Sequence, residues 1–134
     1  MPPAMICHKT SVKFHHTDAS GRPFYTTFFK IASEALQEFV LKKGISHQEF
    51  YFDSKVEFPV VHASASYRRK IALGDEIQVD VTVGKIGTTS IEFNYAMLGS
   101  GHVEFGDVKT VHVAVNVKTG EKTEVPAFIK EKLR

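Results

Sequence analysis

The feature that most constrains the fold is one long amphipathic helix followed by a succession of strand-like segments. Over Thr26–Lys43, apolar residues recur at three- and four-residue spacing, and Gly44 supplies a natural end. The later segments are rich in β-branched and aromatic residues and comprise Val60–Arg69, Glu76–Ile86, Ser90–Leu98 and Val103–Val117, with an earlier strand predicted at Ile6–His15. Consecutive strands beside a segregated helix predict an α+β fold with an antiparallel sheet.

Short turns separate the predicted strands. Gly74-Asp75, Gly87 and Gly99-Ser100-Gly101 are each short enough for a hairpin. Ser46 and Glu49 have the spacing of a capping box, and a final short helix is predicted over Ala127–Leu133. A five-stranded sheet curled around the long helix would bury both apolar faces. Its outer strands would be open edges, which proteins often protect by dimerisation.

Length and composition exclude several classes of protein. The 134 residues fit one domain covering 1–134, and a formal net charge of +2 is too small to indicate nucleic-acid binding. No apolar run approaches the roughly 20 residues of a membrane span, and the start lacks the pattern of a signal peptide. A single cysteine, Cys7, cannot form an internal disulfide. We therefore expect a cytoplasmic protein that binds neither nucleic acid nor membrane.

A polar segment with one carboxylate, Asp18, leads into the long helix. A helix N-terminus offers unpaired N–H groups and the positive end of a dipole, which suits a site that stabilises negative charge. Asp18 could equally serve as an Asx-turn or capping residue, and the pattern alone leaves both roles open. His16 and Asp18 would share one face of a strand, but no third ligand is evident, so no metal site is predicted.

Two blocks of the sequence resemble a known family. They are Phe14-x-x-Thr17-Asp18-Ala19-x-Gly21-x-x-x-Tyr25 and Pro59-Val60-Val61-His62-Ala63-Ser64-Ala65-Ser66-Tyr67, and they are similar to hotdog-fold acyl-CoA thioesterases of the 4-hydroxybenzoyl-CoA thioesterase type. The second block is similar to the branch that hydrolyses 1,4-dihydroxy-2-naphthoyl-CoA. The resemblance implies a five-stranded antiparallel sheet wrapped around one long central helix. It also implies hydrolysis of an acyl-CoA, and an aromatic acyl group is favoured. The reaction would need no metal or organic cofactor. The enzyme would be a homo-oligomer, either a dimer or a tetramer.

The resemblance also assigns roles to individual residues. Asp18 would be the nucleophile or general base, and the backbone N–H of Tyr25 would hold the oxyanion. The expected substrate contacts are His16, Gly21, Phe24 and His62 around the acyl group, Ser64 beside a pantetheine channel between subunits, and Arg68, Arg69 and Lys70 for the phosphates of coenzyme A. His16 could instead tune Asp18, and His62 could be a hydrogen-bonded histidine of the core. The three basic residues could also be a solvated strand end.

Three positions depart from the family pattern. Many members carry an acid where this chain has His16, Asn-Tyr where it has Thr27-Phe28, and an acid where it has Ser33. These departures affect the expected acyl group more than the expected reaction. The alternatives are a thioesterase for short- or medium-chain acyl groups, a hydroxyacyl thioester dehydratase, or a non-catalytic acyl-CoA-binding module. The dehydratase is disfavoured because His16 with Asp18 is a poor substitute for its usual pair.

Overall fold

The computed structural model describes residues 6–18 and 25–134 of the chain. Within these ranges the fold is α+β, with three α-helices and seven strands. The strands are β1 (Ile6–Ser11), β2 (Val56–Glu57), β3 (Val60–Tyr67), β4 (Glu76–Ile86), β5 (Ser90–Leu98), β6 (Glu104–Val113) and β7 (Val115–Asn116), and the helices are α1 (Thr27–Lys42), α2 (His47–Tyr51) and α3 (Ala127–Leu133). Two 3₁₀ turns, Phe14–His16 and Ser100–His102, complete the regular structure of these ranges.

Five strands form one antiparallel sheet in the order β1-β4-β5-β6-β3, and β2 pairs with β7 in a separate ribbon. The predicted five-stranded antiparallel sheet is confirmed, but one predicted connection is wrong. β3 pairs with β6 at the far edge rather than with β4, so Gly74-Asp75 is not a hairpin turn. β4 instead lies between β1 and β5, so β5 and β6 separate it from β3 in the sheet.

The core lies between the apolar face of α1 and one face of the sheet. α1 packs on β1, β3, β4 and β6. The buried apolar residues of the helix are Phe28, Ile31, Ala32, Ala35, Leu36, Phe39 and Val40, and alternate residues of β4 and β5 meet them: Ile77, Val79, Val81, Ile91, Phe93, Tyr95 and Met97. Burying one such large apolar side chain contributes about 1.5–3 kcal/mol, so the matched periodicities of helix and strand stabilise this pairing.

The predicted final helix at Ala127–Leu133 is confirmed as α3, and with α2 the described ranges hold three α-helices, so a description by one long central helix alone is incomplete. α1 has 16 residues, whereas α2 has 5 and α3 has 7. No helix there is long and apolar enough to cross a membrane.

Local signals set the end of α1 and the start of α2. Gly44 has a φ of +81°, its N–H donates to the Leu41 carbonyl at 3.0 Å, and the Ile45 N–H donates to the Val40 carbonyl at 2.9 Å. This is a Schellman motif, and it confirms the predicted stop at Gly44. The predicted capping box is also confirmed, since the Glu49 N–H donates to Ser46 Oγ at 3.0 Å and the Ser46 N–H donates to Glu49 Oε1 at 2.9 Å.

The first strand is shorter than predicted. β1 ends at Ser11, and residues 14–16 form a 3₁₀ turn instead of continuing to His15. A strand continuing to His15 would place Phe14 on the same face as Val12. Val12 is buried but Phe14 is 78% exposed, so the predicted alternation fails at this point.

Candidate functional site

Interlocking hydrogen bonds hold the segment that leads to Asp18. The His16 N–H donates to the Lys13 carbonyl at 2.9 Å, and the Thr17 N–H donates to the Phe14 carbonyl at 3.0 Å. The Thr17 hydroxyl donates to the same Phe14 carbonyl at 2.7 Å. Asp18 follows directly and is half-buried. The backbone that leads into Asp18 is therefore held by three hydrogen bonds within the turn.

One buried hydrogen bond joins this segment to the start of α1. The hydroxyl of Thr27, the first residue of α1, donates to the His16 carbonyl at 2.7 Å. Thr26 precedes the helix without a side-chain capping bond, and the first turn carries no acidic side chain. No carboxylate within that turn neutralises the positive end of the helix dipole. The start of α1 can therefore stabilise a negatively charged group placed beside it.

Tyr25 lies in the turn before α1, since the helix begins at Thr27. The Tyr25 side chain is 77% exposed. Gly21 and Phe24 lie outside the described residues.

An open groove of about 430 Å³ runs along α1 beside the 3₁₀ turn. It is lined by His15, His16, Thr26, Phe29, Lys30, Ser33 and Glu34. It brings together two positions where the sequence leaves the family pattern, His16 and Ser33. Phe29, Lys30 and Glu34 were not among the predicted site residues. They follow Thr26 at helical spacing, which places them on one helix face. This periodicity in the sequence is the pattern from which they could be predicted.

The His16 ring is buried, at 1% exposure, with its two nitrogens in different situations. Nδ1 accepts the Lys13 N–H at 2.9 Å, so the neutral ring carries its proton on Nε2. Nε2 is buried and has no hydrogen-bond partner among the described residues. Leaving such a donor unsatisfied costs about 1–3 kcal/mol.

The electrostatic surroundings keep His16 neutral. Burial lowers its pKa and the neighbouring His15 lowers it further, while Glu34 acts in the opposite direction. The predicted placement of His16 on a strand face with Asp18 is wrong, because His16 belongs to the 3₁₀ turn. Across residues 6–18 and 25–134, no three His, Cys, Asp or Glu side chains are grouped to hold a metal ion.

The edge strand β3 carries two further predicted site residues on its outer face. Tyr67 stacks on Phe28 of α1 with ring centroids 4.7 Å apart, and Ala65 packs against the core. His62 and Ser64 alternate with these residues, so they lie on the opposite face, where both are exposed. Within one protomer the structure does not bring His62 or Ser64 to the groove beside His16.

The predicted basic cluster divides into two parts. Arg68 donates to Glu104 Oε1 at 2.9 Å and pairs with Asp107 Oδ2 at 2.6 Å, and Asp107 raises the pKa of its guanidinium. Arg69 and Lys70 are exposed beyond the end of β3 and form no ion pair with the described part of the chain. Two of the three cations are therefore open to an anionic ligand, and the third is engaged by β6.

Comparison with known proteins agrees with this architecture. The thioesterase-like superfamily matches residues 12–133. A 1,4-dihydroxy-2-naphthoyl-CoA hydrolase from Crocosphaera subtropica is 26% identical over 131 residues, with 96% of each chain covered. A 1,4-dihydroxy-2-naphthoyl-CoA thioesterase from Synechocystis superposes with a TM-score of 0.88 at 18% identity, covering 97% of this chain and 96% of that one.

A gentisyl-coenzyme A thioesterase has a similar structure, with a TM-score of 0.85 at 22% identity, covering 96% of this chain and all of the other. These structural likenesses establish the hotdog fold, and the superfamily match covers nearly the whole chain. This chain therefore belongs to the thioesterase-like superfamily and has its hotdog fold.

Proposed function

We propose that this protein hydrolyses the coenzyme A thioesters of hydroxylated aromatic acids, with Asp18 as its catalytic carboxylate. The reaction class is that of an acyl-CoA thioester hydrolase. The observation that carries the proposal is the buried hydrogen bond from Thr27 to the His16 carbonyl, because it holds the segment ending in Asp18 against the start of α1. The aromatic acyl group is proposed from the substrates named for the similar proteins.

The carboxylate of Asp18 can act in hydrolysis by either of two mechanisms. As a nucleophile, its oxygen bonds to the acyl carbon, the C–S bond breaks, coenzyme A leaves as the thiolate, and water then cleaves the anhydride. As a general base, Asp18 takes a proton from a water whose oxygen bonds to the acyl carbon, the C–S bond breaks, and coenzyme A leaves as the thiolate, which the proton on Asp18 then neutralises. In both routes the negative charge on the carbonyl oxygen is held by the Tyr25 N–H and the positive end of α1. Such donors contribute about 3–4 kcal/mol in comparable sites.

We place coenzyme A and a second subunit on the β3 side of the molecule. β3 is an edge strand of eight residues, and Val60 and Val61 are more than half exposed. Pairing two such edges would cover them, so we propose a homodimer, with dimers associating into tetramers, in which the sheet wraps around α1 as the central helix. His62 and Ser64 would then face a channel between subunits.

The phosphates of coenzyme A would be bound by Arg69 and Lys70, which are exposed at the end of β3. Arg68 is already paired with Glu104 and Asp107. It would have to exchange one of these carboxylates to reach a phosphate.

The test is an acyl-CoA hydrolysis assay on the wild type, Asp18→Asn and the control Asp80→Asn. Asp80 is a half-buried aspartate of β4 whose Oδ1 accepts from Gln78 Nε2 at 3.0 Å, a bond that asparagine can keep. We expect Asp18→Asn to lower kcat by about 10²–10⁴-fold and Asp80→Asn to leave it unchanged. Full activity in Asp18→Asn would contradict the role of Asp18. Binding of acyl-CoA without hydrolysis would favour a binding module, and hydrolysis of aliphatic substrates alone would favour the short- or medium-chain alternative.

A further inference from the structure

An unsatisfied hydrogen-bond donor belongs to a side chain that lines the groove beside α1. His16 is one of the lining residues, it is 1% exposed, and its Nε2 is buried without a partner among the described residues. Rotation of the ring to give Nε2 a partner would break the bond in which Nδ1 accepts the Lys13 N–H at 2.9 Å. The backbone of this residue is held as well, because the His16 carbonyl accepts the Thr27 hydroxyl at 2.7 Å. The position and the proton of this donor are therefore both determined by the fold.

A buried N–H group without a partner is rare in folded proteins, and in a groove wall it is suited to a ligand that supplies an acceptor. The other groove residues narrow the choice of ligand. Phe29 offers an apolar surface and Ser33 a small side chain, while Lys30 and Glu34 carry opposite charges. A neutral, flat ligand that carries an oxygen atom fits these properties better than an anion or an aliphatic chain.

We propose that His16 determines the acyl specificity of the thioesterase by donating its Nε2–H to an oxygen on the aromatic ring of the acyl group. This inference rests on the proposed function and adds the residue that distinguishes hydroxylated from unsubstituted aryl groups. A site with a fixed donor rejects a ligand that lacks the acceptor, because the donor then stays desolvated and unpaired. His16 is thus a specificity residue rather than a catalytic one.

Two substitutions separate the roles of the two ring nitrogens. In His16→Asn the amide oxygen takes the place of Nδ1 and can still accept the Lys13 N–H, but the Nε2 donor is lost. In His16→Gln the amide nitrogen reaches the place of Nε2 and keeps a donor there, but the acceptor for Lys13 is lost. A purely structural role of His16 predicts that His16→Gln is the more damaging change in every measurement.

The experiment measures kcat/KM and Kd for gentisyl-CoA and benzoyl-CoA on the wild type and both variants, together with the Tm. We expect the wild type to prefer gentisyl-CoA. His16→Asn should reduce that preference about tenfold or more with a Tm near the wild-type value, whereas His16→Gln should retain most of the preference and have a lower Tm.

The inference is overturned if the wild type shows no preference, or if His16→Asn keeps the wild-type ratio in both kcat/KM and Kd. Failure of the proposed function has a different signature, namely acyl-CoA binding without hydrolysis by the wild type. In that case the Kd ratios of the three proteins still decide the role of His16.

Discussion

Two buried histidines lie in contrasting regions of the molecule. His112 on β6 and His16 before α1 are 5% and 1% exposed, and burial is the main cause that lowers the pKa of each. Both nitrogens of His112 are satisfied. Nδ1–H donates to the Phe58 carbonyl at 3.1 Å, and Nε2 accepts from the Thr110 hydroxyl at 3.1 Å, whose oxygen in turn accepts from Tyr95 at 2.9 Å. His16 has a protein partner for only one of its nitrogens in the described structure.

The difference distinguishes a histidine of the core from a histidine of the candidate site. Around His112 the rings of Phe50 and Phe93 exclude water, and the polar chain is complete, so the residue contributes to stability. His16 lines a groove and its Nε2 has no partner among the described residues, and we propose that a ligand supplies it. Equal burial therefore does not imply an equal role, because the number of partners differs.

The largest effect on stability should come from removing the complete network. His112→Phe leaves the Phe58 carbonyl and the Thr110 hydroxyl without their partner in a dry core, and we expect the free energy of unfolding to fall by about 2–4 kcal/mol. Urea denaturation measures this change. The folded fraction should keep kcat/KM within a few-fold of the wild type. A variant as stable as the wild type would show that the His112 network does not contribute to stability.

A smaller loss is expected at the junction between the His16 region and α1. Thr27→Val keeps the shape of the side chain but removes the bond to the His16 carbonyl, and should lower the free energy of unfolding by about 1–2 kcal/mol. Hydrolysis should also fall, because the segment ending in Asp18 is released from the helix. Thr26→Val is the control, since Thr26 makes no side-chain capping bond, and its effect on stability should stay within about 0.5 kcal/mol. Equal losses in both variants would contradict this account of the junction.

The smallest expected effect is the pH dependence of the free energy of unfolding. His112 and His16 have folded-state pKa values below the usual value of about 6.5, so the unfolded chain binds more protons as the pH falls through that value. The free energy of unfolding should be constant from pH 8 to 7 and decrease from pH 7 towards 5. His112→Phe should show a shallower decrease in the same denaturation series, and an identical slope would exclude His112 as a source of it.

The sequence predicts the parts of the fold that local pattern determines. β4 and β5 have the bounds expected from their alternation, α1 is shorter than expected by one residue at each end, and Gly44 ends it as expected. The position of β3 could not be predicted in this way, because its pairing with β6 joins residues about 40 to 50 positions apart in the chain, from Tyr67 with Gly106 to Val60 with His112. No local pattern distinguishes that register from a hairpin with β4.

The candidate site is only partly accessible to sequence reasoning for the same physical reason. The pattern indicates Asp18 and His16, but the 3₁₀ turn that positions them depends on the bond from Lys13 to the His16 ring. The engagement of Arg68 by Glu104 and Asp107 likewise depends on how β3 and β6 pair. Phe29, Lys30 and Glu34 become groove residues only because the turn packs beside one face of α1.

A crystal structure of Asp18→Asn with gentisyl-CoA bound tests directly whether Asp18 and His16 form one acyl site. We expect the thioester carbonyl at the start of α1, with the ring in the groove and a ring oxygen within about 3.2 Å of His16 Nε2. An acyl group bound away from α1, or a ring oxygen that leaves His16 Nε2 unpaired, would contradict this expectation.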